Sequence, residues 1–168
     1  MASHNSASAS LQARKQRPGD PRSTETVVIA ICCLTIIAAL VLGVGLATNL
    51  VLRHVVQTIP LWVGVILGFR HSRATAWATM PLFLAWLILM ALIWSFLLGI
   101  SHVLSGHFSP IEIVMTVIVG IAALAGIGSF FRFRSSLSPL TAGLIFVLMT
   151  GFQVVCLRVS FLPAIEHR

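Results

Sequence analysis

Charge is what this sequence has least of. Only 9% of its 168 residues are Asp, Glu, Lys or Arg, against roughly a quarter in an average soluble domain. More than half of these lie in the first 25 residues or among the last three. A water-soluble globule needs a polar coat, and this chain has no means of making one. No charged residue falls near the middle of any apolar run. Ionisable groups at such positions are what ion paths, proton relays and voltage sensors are built from, so their lack argues against an ion-coupled transporter, a pump or a voltage-gated channel made from this chain alone. A pore lined by backbone and hydroxyl groups stays open to it.

Catalytic groups are equally scarce. The single aspartate, Asp20, lies in the N-terminal tail, so an aspartyl dyad would need a second chain. The histidines sit at run ends or in tails, away from any serine that needs a base within hydrogen-bond reach. There is no Gly-x-Ser-x-Gly, no phosphate-binding glycine loop and no His-Glu-x-x-His. The expectation is a protein that is not an enzyme, with no catalytic or cofactor-binding residues and no cofactor. The net charge of +7 does not imply nucleic acid, because that reading needs a basic surface on a folded soluble module. Cys32, Cys33 and Cys156 lack metal-ligand or Cys-x-x-Cys spacing. In a helical reading Cys156 lies on the order of 15 Å in depth from the other two, which excludes a disulfide.

What the sequence has in quantity is hydrocarbon: 58% hydrophobic residues and a mean hydropathy of +1.01. Residues 1–25 read as a disordered basic tail, rich in Ser and broken by Pro18, Gly19 and Pro21. Beyond it the apolar runs predict an all-α polytopic membrane protein of about five transmembrane helices, at residues 26–48, 50–70, 77–101, 110–131 and 138–161. The first run exceeds the 7 to 15 residues of a signal-peptide core and reads as a retained span. Ser109-Pro110-Ile111-Glu112 is a capping box with proline at the first helical position, and Ser138-Pro139 repeats the cap and proline. The second run is the doubtful one. His54 to Phe69 alone reaches only about 24 Å as a helix and contains Gln57 and Pro60. It crosses only if it starts near Asn49, with Pro60 then expected to kink it.

The basic residues orient the helices. Five spans with a cytoplasmic N-terminus place Arg14, Lys15, Arg17, Arg22, Arg70, Arg73, Arg132 and Arg134 inside and Arg53, Arg158 and Arg168 outside, eight against three. Four spans give six against five. Positive charge collects in cytoplasmic loops, which favours five, in a membrane such as a bacterial inner membrane.

Four groups of residues invite a role. His54, His102, His107 and Glu112 fall at one end of the spans, where they would ligate a metal if they converged. Capping and interfacial positions explain them as well, and no metal ligand is assigned. Asn49, Arg53 and Gln57 are spaced to share one helix face. Phe130 to Arg134 and Arg70 to Arg73 interleave aromatic and basic residues as an interfacial anchor for anionic lipid. Ala39, Gly43 and Ala47, and Ala122 and Gly126, recur every four residues and allow helices to approach closely. The third run carries Trp86 and Trp94 among large apolar residues, and most of its surface is expected to face lipid or a partner.

The function expected is an accessory or scaffold subunit of a membrane complex, in contact with the bilayer and with other membrane subunits or further copies of itself. The alternative is a small transporter or channel for an uncharged or lipid-like solute. The topology has a direct check: a reporter fused after Arg168 should report the non-cytoplasmic side, and a cytoplasmic C-terminus would remove the five-span arrangement.

Overall fold

The computed structural model describes residues 21–100, 108–133 and 137–162. Five helices in it are long and apolar enough to cross a membrane, and no strand occurs among the described residues. The first, α1, runs without a break through α-helical Pro21–Ala38, a π-helical stretch Ala39–Gly45 and a last α-turn Leu46–Thr48. It begins ahead of the uncharged run, so its first turn is polar. Most of the N-terminal tail lies outside the described residues. Helix α2 is Val51–Phe69, α3 Thr75–Leu97, α4 Pro110–Arg132 and α5 Pro139–Ser160.

Helix ends leave backbone groups without an intrahelical partner. Two ends at the N-terminal side follow the expected cap chemistry. Ser109 Oγ accepts the Glu112 N–H at 3.3 Å while Glu112 Oε2 accepts the Ser109 N–H at 2.6 Å, and Ser138 Oγ accepts the Thr141 N–H at 3.2 Å. At the C-terminal side three helices stop on a left-handed residue: Asn49 (φ 56°) after α1, His71 (φ 49°) after α2 and Gly99 (φ 71°) after α3. In each case the following N–H reaches back to the helix, Leu50 to Gly45 O, Ser72 to Leu67 O and Ile100 to Ser95 O, all at 3.0 Å or less. These are Schellman closures. The first reverses the chain at Asn49, so α2 gains enough residues for about 29 Å of helix and the doubtful run becomes a full-length one. The third ends α3 at Leu97, short of the expected 101.

Each helix has two principal neighbours, in the cycle α1, α2, α5, α3, α4 and back to α1. Helix α3 also touches α2 and, more lightly, α1, although less of its apolar window is buried than in α1, α2 or α4. Its Leu82, Phe83, Trp86 and Met90 are buried. That face is one side of the helix only: 28% of its apolar window is buried, so most of its surface is turned away from the bundle, as expected from its large apolar residues.

Small residues set the close contacts, but only partly those expected. A Cβ at Gly126 would strike the buried Phe83 ring, and one at Gly43 would lie 2.5 Å from Met115. Ala47, the third member of the α1 row, is exposed. The π-helix explains this: its wider i to i+5 turn rotates residues beyond Ala39–Gly45 off the face that four-residue spacing would keep. Close packing of α2 instead uses Gly64 and Gly68. A Cβ at Gly68 would meet Ala30 Cβ and Thr26 O at 2.7 Å, and one at Gly64 would meet Thr79 Cγ2 at 2.6 Å and Cys33 Sγ at 2.9 Å. Gly64-x-x-x-Gly68 is a close-packing motif in apolar helices. Gly68→Val is expected to lower thermal stability in detergent by about 1–3 kcal/mol through overpacking. Gly120→Ala, with open space around it, should leave stability unchanged or raise it by up to about 1 kcal/mol.

Candidate functional site

At one end of the bundle the C-terminal parts of α1, α3 and α5 meet the N-terminal parts of α2 and α4 around a cavity of about 380 Å³. We call this the distal end. Each helix contributes through a local feature already described. The π-helical stretch presents Leu40 and Val44, and the turn at Asn49 brings the first residues of α2, Arg53, His54 and Gln57, alongside it. Trp86, Leu89, Met90 and Ile93 come from α3, and the capped start of α4 supplies Glu112, Met115, Thr116 and Val119. Phe108, Leu157 and Phe161 also line it.

Polar groups gather at the helix ends around this space. Arg53 lies with its guanidinium carbon 4.1 Å from the centre of the Phe161 ring, a cation–π arrangement. His54 Nδ1 is 2.9 Å from Leu50 O. A carbonyl can only accept, so Nδ1 carries the proton and Nε2 of the neutral ring presents a lone pair. Glu112 is held by its bond from the Ser109 N–H. Thr116 Oγ1 donates to Ile113 O at 2.7 Å.

Beside the cavity a chain of buried hydrogen bonds ties α2 to α5. Gln57 Nε2 donates to Ser160 Oγ at 3.0 Å, Ser160 Oγ donates to Leu157 O at 2.7 Å, and Gln153 Nε2 donates to the backbone oxygen of Gln57 at 3.4 Å. Among the described residues, two buried side-chain polar atoms have no hydrogen-bond partner: Gln153 Oε1 and Trp86 Nε1.

The sequence candidates divide accordingly. His54 and Glu112 do line one cavity, while His102 and His107 lie outside the described residues, and among the described residues no three His, Cys, Asp or Glu side chains gather as metal ligands. The row Asn49, Arg53, Gln57 is broken, because Asn49 is the left-handed turn residue and not part of α2. Arg53 and Gln57 remain on the cavity side, with Gln57 buried. At the opposite end Trp77 packs edge-on against Phe130, centroids 5.1 Å apart, and Phe131 is exposed. The three cysteines are free and buried, and Arg158 is exposed. Sequence reasoning missed Trp86 and Gln153 as site or near-site polar groups. The signal for Gln153 was a lone amide inside an apolar run; Trp86 gave none.

A shallower depression of about 270 Å³ between α1 and α4, lined by Cys32, Thr35, Ile118, Ile121 and Ala122, offers almost no polar group. The Thr35 hydroxyl there already donates to Ile31 O at 2.9 Å.

Compared with known protein families, characterised proteins and solved structures, the chain matches none. The site is therefore read from its own geometry. For the α2–α5 link, a double-mutant cycle of Gln57→Ala and Ser160→Ala, read by unfolding in detergent, should give a coupling of about 0.6 kcal/mol and no more than about 1.7. A coupling indistinguishable from zero would show that this bond does not join the two helices.

Proposed function

We propose that this chain resides in a membrane, with its N-terminus cytoplasmic, and that it works by binding a lipid-like solute in the distal cavity and not by bond chemistry. The cavity carries this reading. Its size is within the ~300–1,000 Å³ range of small-molecule sites, its lining is mainly Leu, Val, Ile, Met and aromatic side chains, and Arg53, His54 and Glu112 stand in the first turn of their helices. An apolar molecule entering from the non-cytoplasmic side would leave its polar part near Arg53, His54 and Glu112 and its hydrocarbon part between α1, α3 and α4. Binding of this kind suits a carrier or a transporter for an uncharged or lipid-like solute.

A second reading, a non-catalytic accessory or scaffold subunit, is favoured by α5. Only 17% of its apolar window is buried, and Leu140, Leu144, Val147, Leu148 and Val155 are all exposed, a surface that packs against lipid, another subunit or a further copy of the chain. A bacterial inner membrane suits either role.

Reconstitution separates the two. Proteoliposomes are expected to bind or exchange a short-chain fluorescent lipid faster than protein-free liposomes, and Ile93→Trp, which fills the cavity, should abolish the difference while leaving the helical content intact. If protein and empty liposomes behave alike, and native-mass analysis finds a co-purifying membrane protein, the subunit reading replaces this one.

A further inference from the structure

We infer that the distal cavity takes a single-chain carboxylate, a medium-length fatty acid whose chain lies between the helices and whose head meets the Arg53 guanidinium. The inference rests on the binding role proposed above and specifies its ligand. What places the charge is the contact with Phe161. The guanidinium carbon stands 4.1 Å from the centre of that ring, and Phe161 both lines the cavity and is 56% exposed. Arg53 is itself half-buried and lines the same space. A positive charge therefore stands at the accessible rim, within reach of a ligand whose chain is inside. The ring covers a face of the guanidinium plane, whereas the five N–H donors lie in that plane, so the group can serve more than one acceptor.

The length of the chain follows from volume. At the ~30 Å³ that one water-sized group occupies in a liquid, about 380 Å³ holds about a dozen non-hydrogen atoms, one medium-length chain and not two. The head is selected by the ionisable residues on the lining, Arg53, His54 and Glu112. His54 is turned to backbone, with Nδ1 2.9 Å from Leu50 O. Glu112 is committed to its own helix: Oε2 accepts the Ser109 N–H at 2.6 Å, in the first turn of α4, where a helix favours negative charge. A cationic head would compete with that cap for Glu112 and would lie beside Arg53. A planar head with a single negative charge instead meets the guanidinium fork with two parallel hydrogen bonds. A phosphate monoester, with close to two charges at neutral pH, would bring its second charge toward Glu112. Carboxylate is the head that fits.

The test uses the full-length protein in phosphatidylcholine nanodiscs, with empty nanodiscs as the partition reference, at about pH 9, high enough to keep a fatty carboxyl ionised after desolvation has raised its pKa. The probes are dodecanoate and its methyl ester. Both are expected to bind above the reference, dodecanoate more tightly. Arg53→Gln should weaken dodecanoate about tenfold, the low end for a hydrogen bond to a charged group, and leave the ester within about twofold. Glu112→Gln, which keeps the capping box because Gln also serves at that position, should tighten dodecanoate about threefold by removing a like charge. In wild-type protein the ¹³C resonance of carboxyl-labelled dodecanoate should titrate at lower pH than in empty nanodiscs, because a neighbouring guanidinium favours the ionised form, a readout that stands even if a variant does not fold. If neither probe binds, the cavity reading falls and the ligand assignment with it. If the ester binds at least as tightly as dodecanoate, neither substitution changes their ratio and the carboxyl titration is unshifted, the assignment falls while the cavity reading stands.

Discussion

In the membrane proposed for this chain, one constraint governs the architecture: hydrocarbon offers no hydrogen-bond partner to a peptide group. Each apolar run must satisfy its backbone internally, which makes it a helix. Each helix end must then close on itself or on a neighbouring side chain. The three left-handed residues Asn49, His71 and Gly99 and the caps Ser109 and Ser138 are five of the answers. They also decide the geometry. The turn at Asn49 needs only two residues between α1 and α2, so these helices run side by side and close enough for Gly64 and Gly68 to meet Ala30 and Cys33. At His71 the same closure is reinforced by Thr75, whose hydroxyl donates to Leu67 O at 2.9 Å, and by the Thr26 hydroxyl, 2.9 Å from His71 Nδ1.

Packing is tight at one end and open at the other, for reasons in the side chains. Toward the α1 N-terminus, Ala30, Cys33, Gly64, Gly68, Ala76 and Thr79 are small, and the two glycines are packed closely against their neighbours. Toward the distal end the inward residues become Leu, Met, Trp and Phe, which hold backbones apart. The π-helical stretch of α1 adds to the separation by widening its own turn, and Gly43 within it receives the Met115 side chain. The cavity is the space between large side chains that cannot all meet at one axis. The hydrogen-bonded chain through Gln57, Ser160 and Gln153 joins α5 to the ring there. The side of α5 turned away from the ring is apolar, with Leu140 81% exposed.

Local signals in the sequence translated directly into structure. Ser109 and Glu112, and Ser138 with Pro139, act through atoms three residues apart, so their geometry depends on little else. The five apolar runs likewise needed only length and composition. The row Asn49, Arg53, Gln57 misled because its spacing presumed a helix that had already ended, and Asn is among the residues that tolerate the left-handed turn. Ala47 misled in the same way, since the π-helical turn ahead of it alters the register that spacing relies on. Gly64 and Gly68 were readable as a motif in their own right. The candidate site was less legible: His54 and Glu112 stood out as polar residues in apolar surroundings, but an indole nitrogen without a partner leaves no mark in a string of letters.

By itself, then, the sequence determined that this is an all-helical chain, with five helices long and apolar enough to cross a membrane and no charge at their centres, because hydropathy and capping are properties of neighbours along the chain. Only the tertiary structure decided which face of α3 is buried in the ring and that Gln57, Ser160 and Gln153 share a polar link. The enclosure of Trp86, Arg53, His54 and Glu112 around one cavity was likewise a tertiary outcome. These depend on which helix faces touch, and in an apolar medium that choice rests on shape and a few hydrogen bonds between residues far apart in sequence.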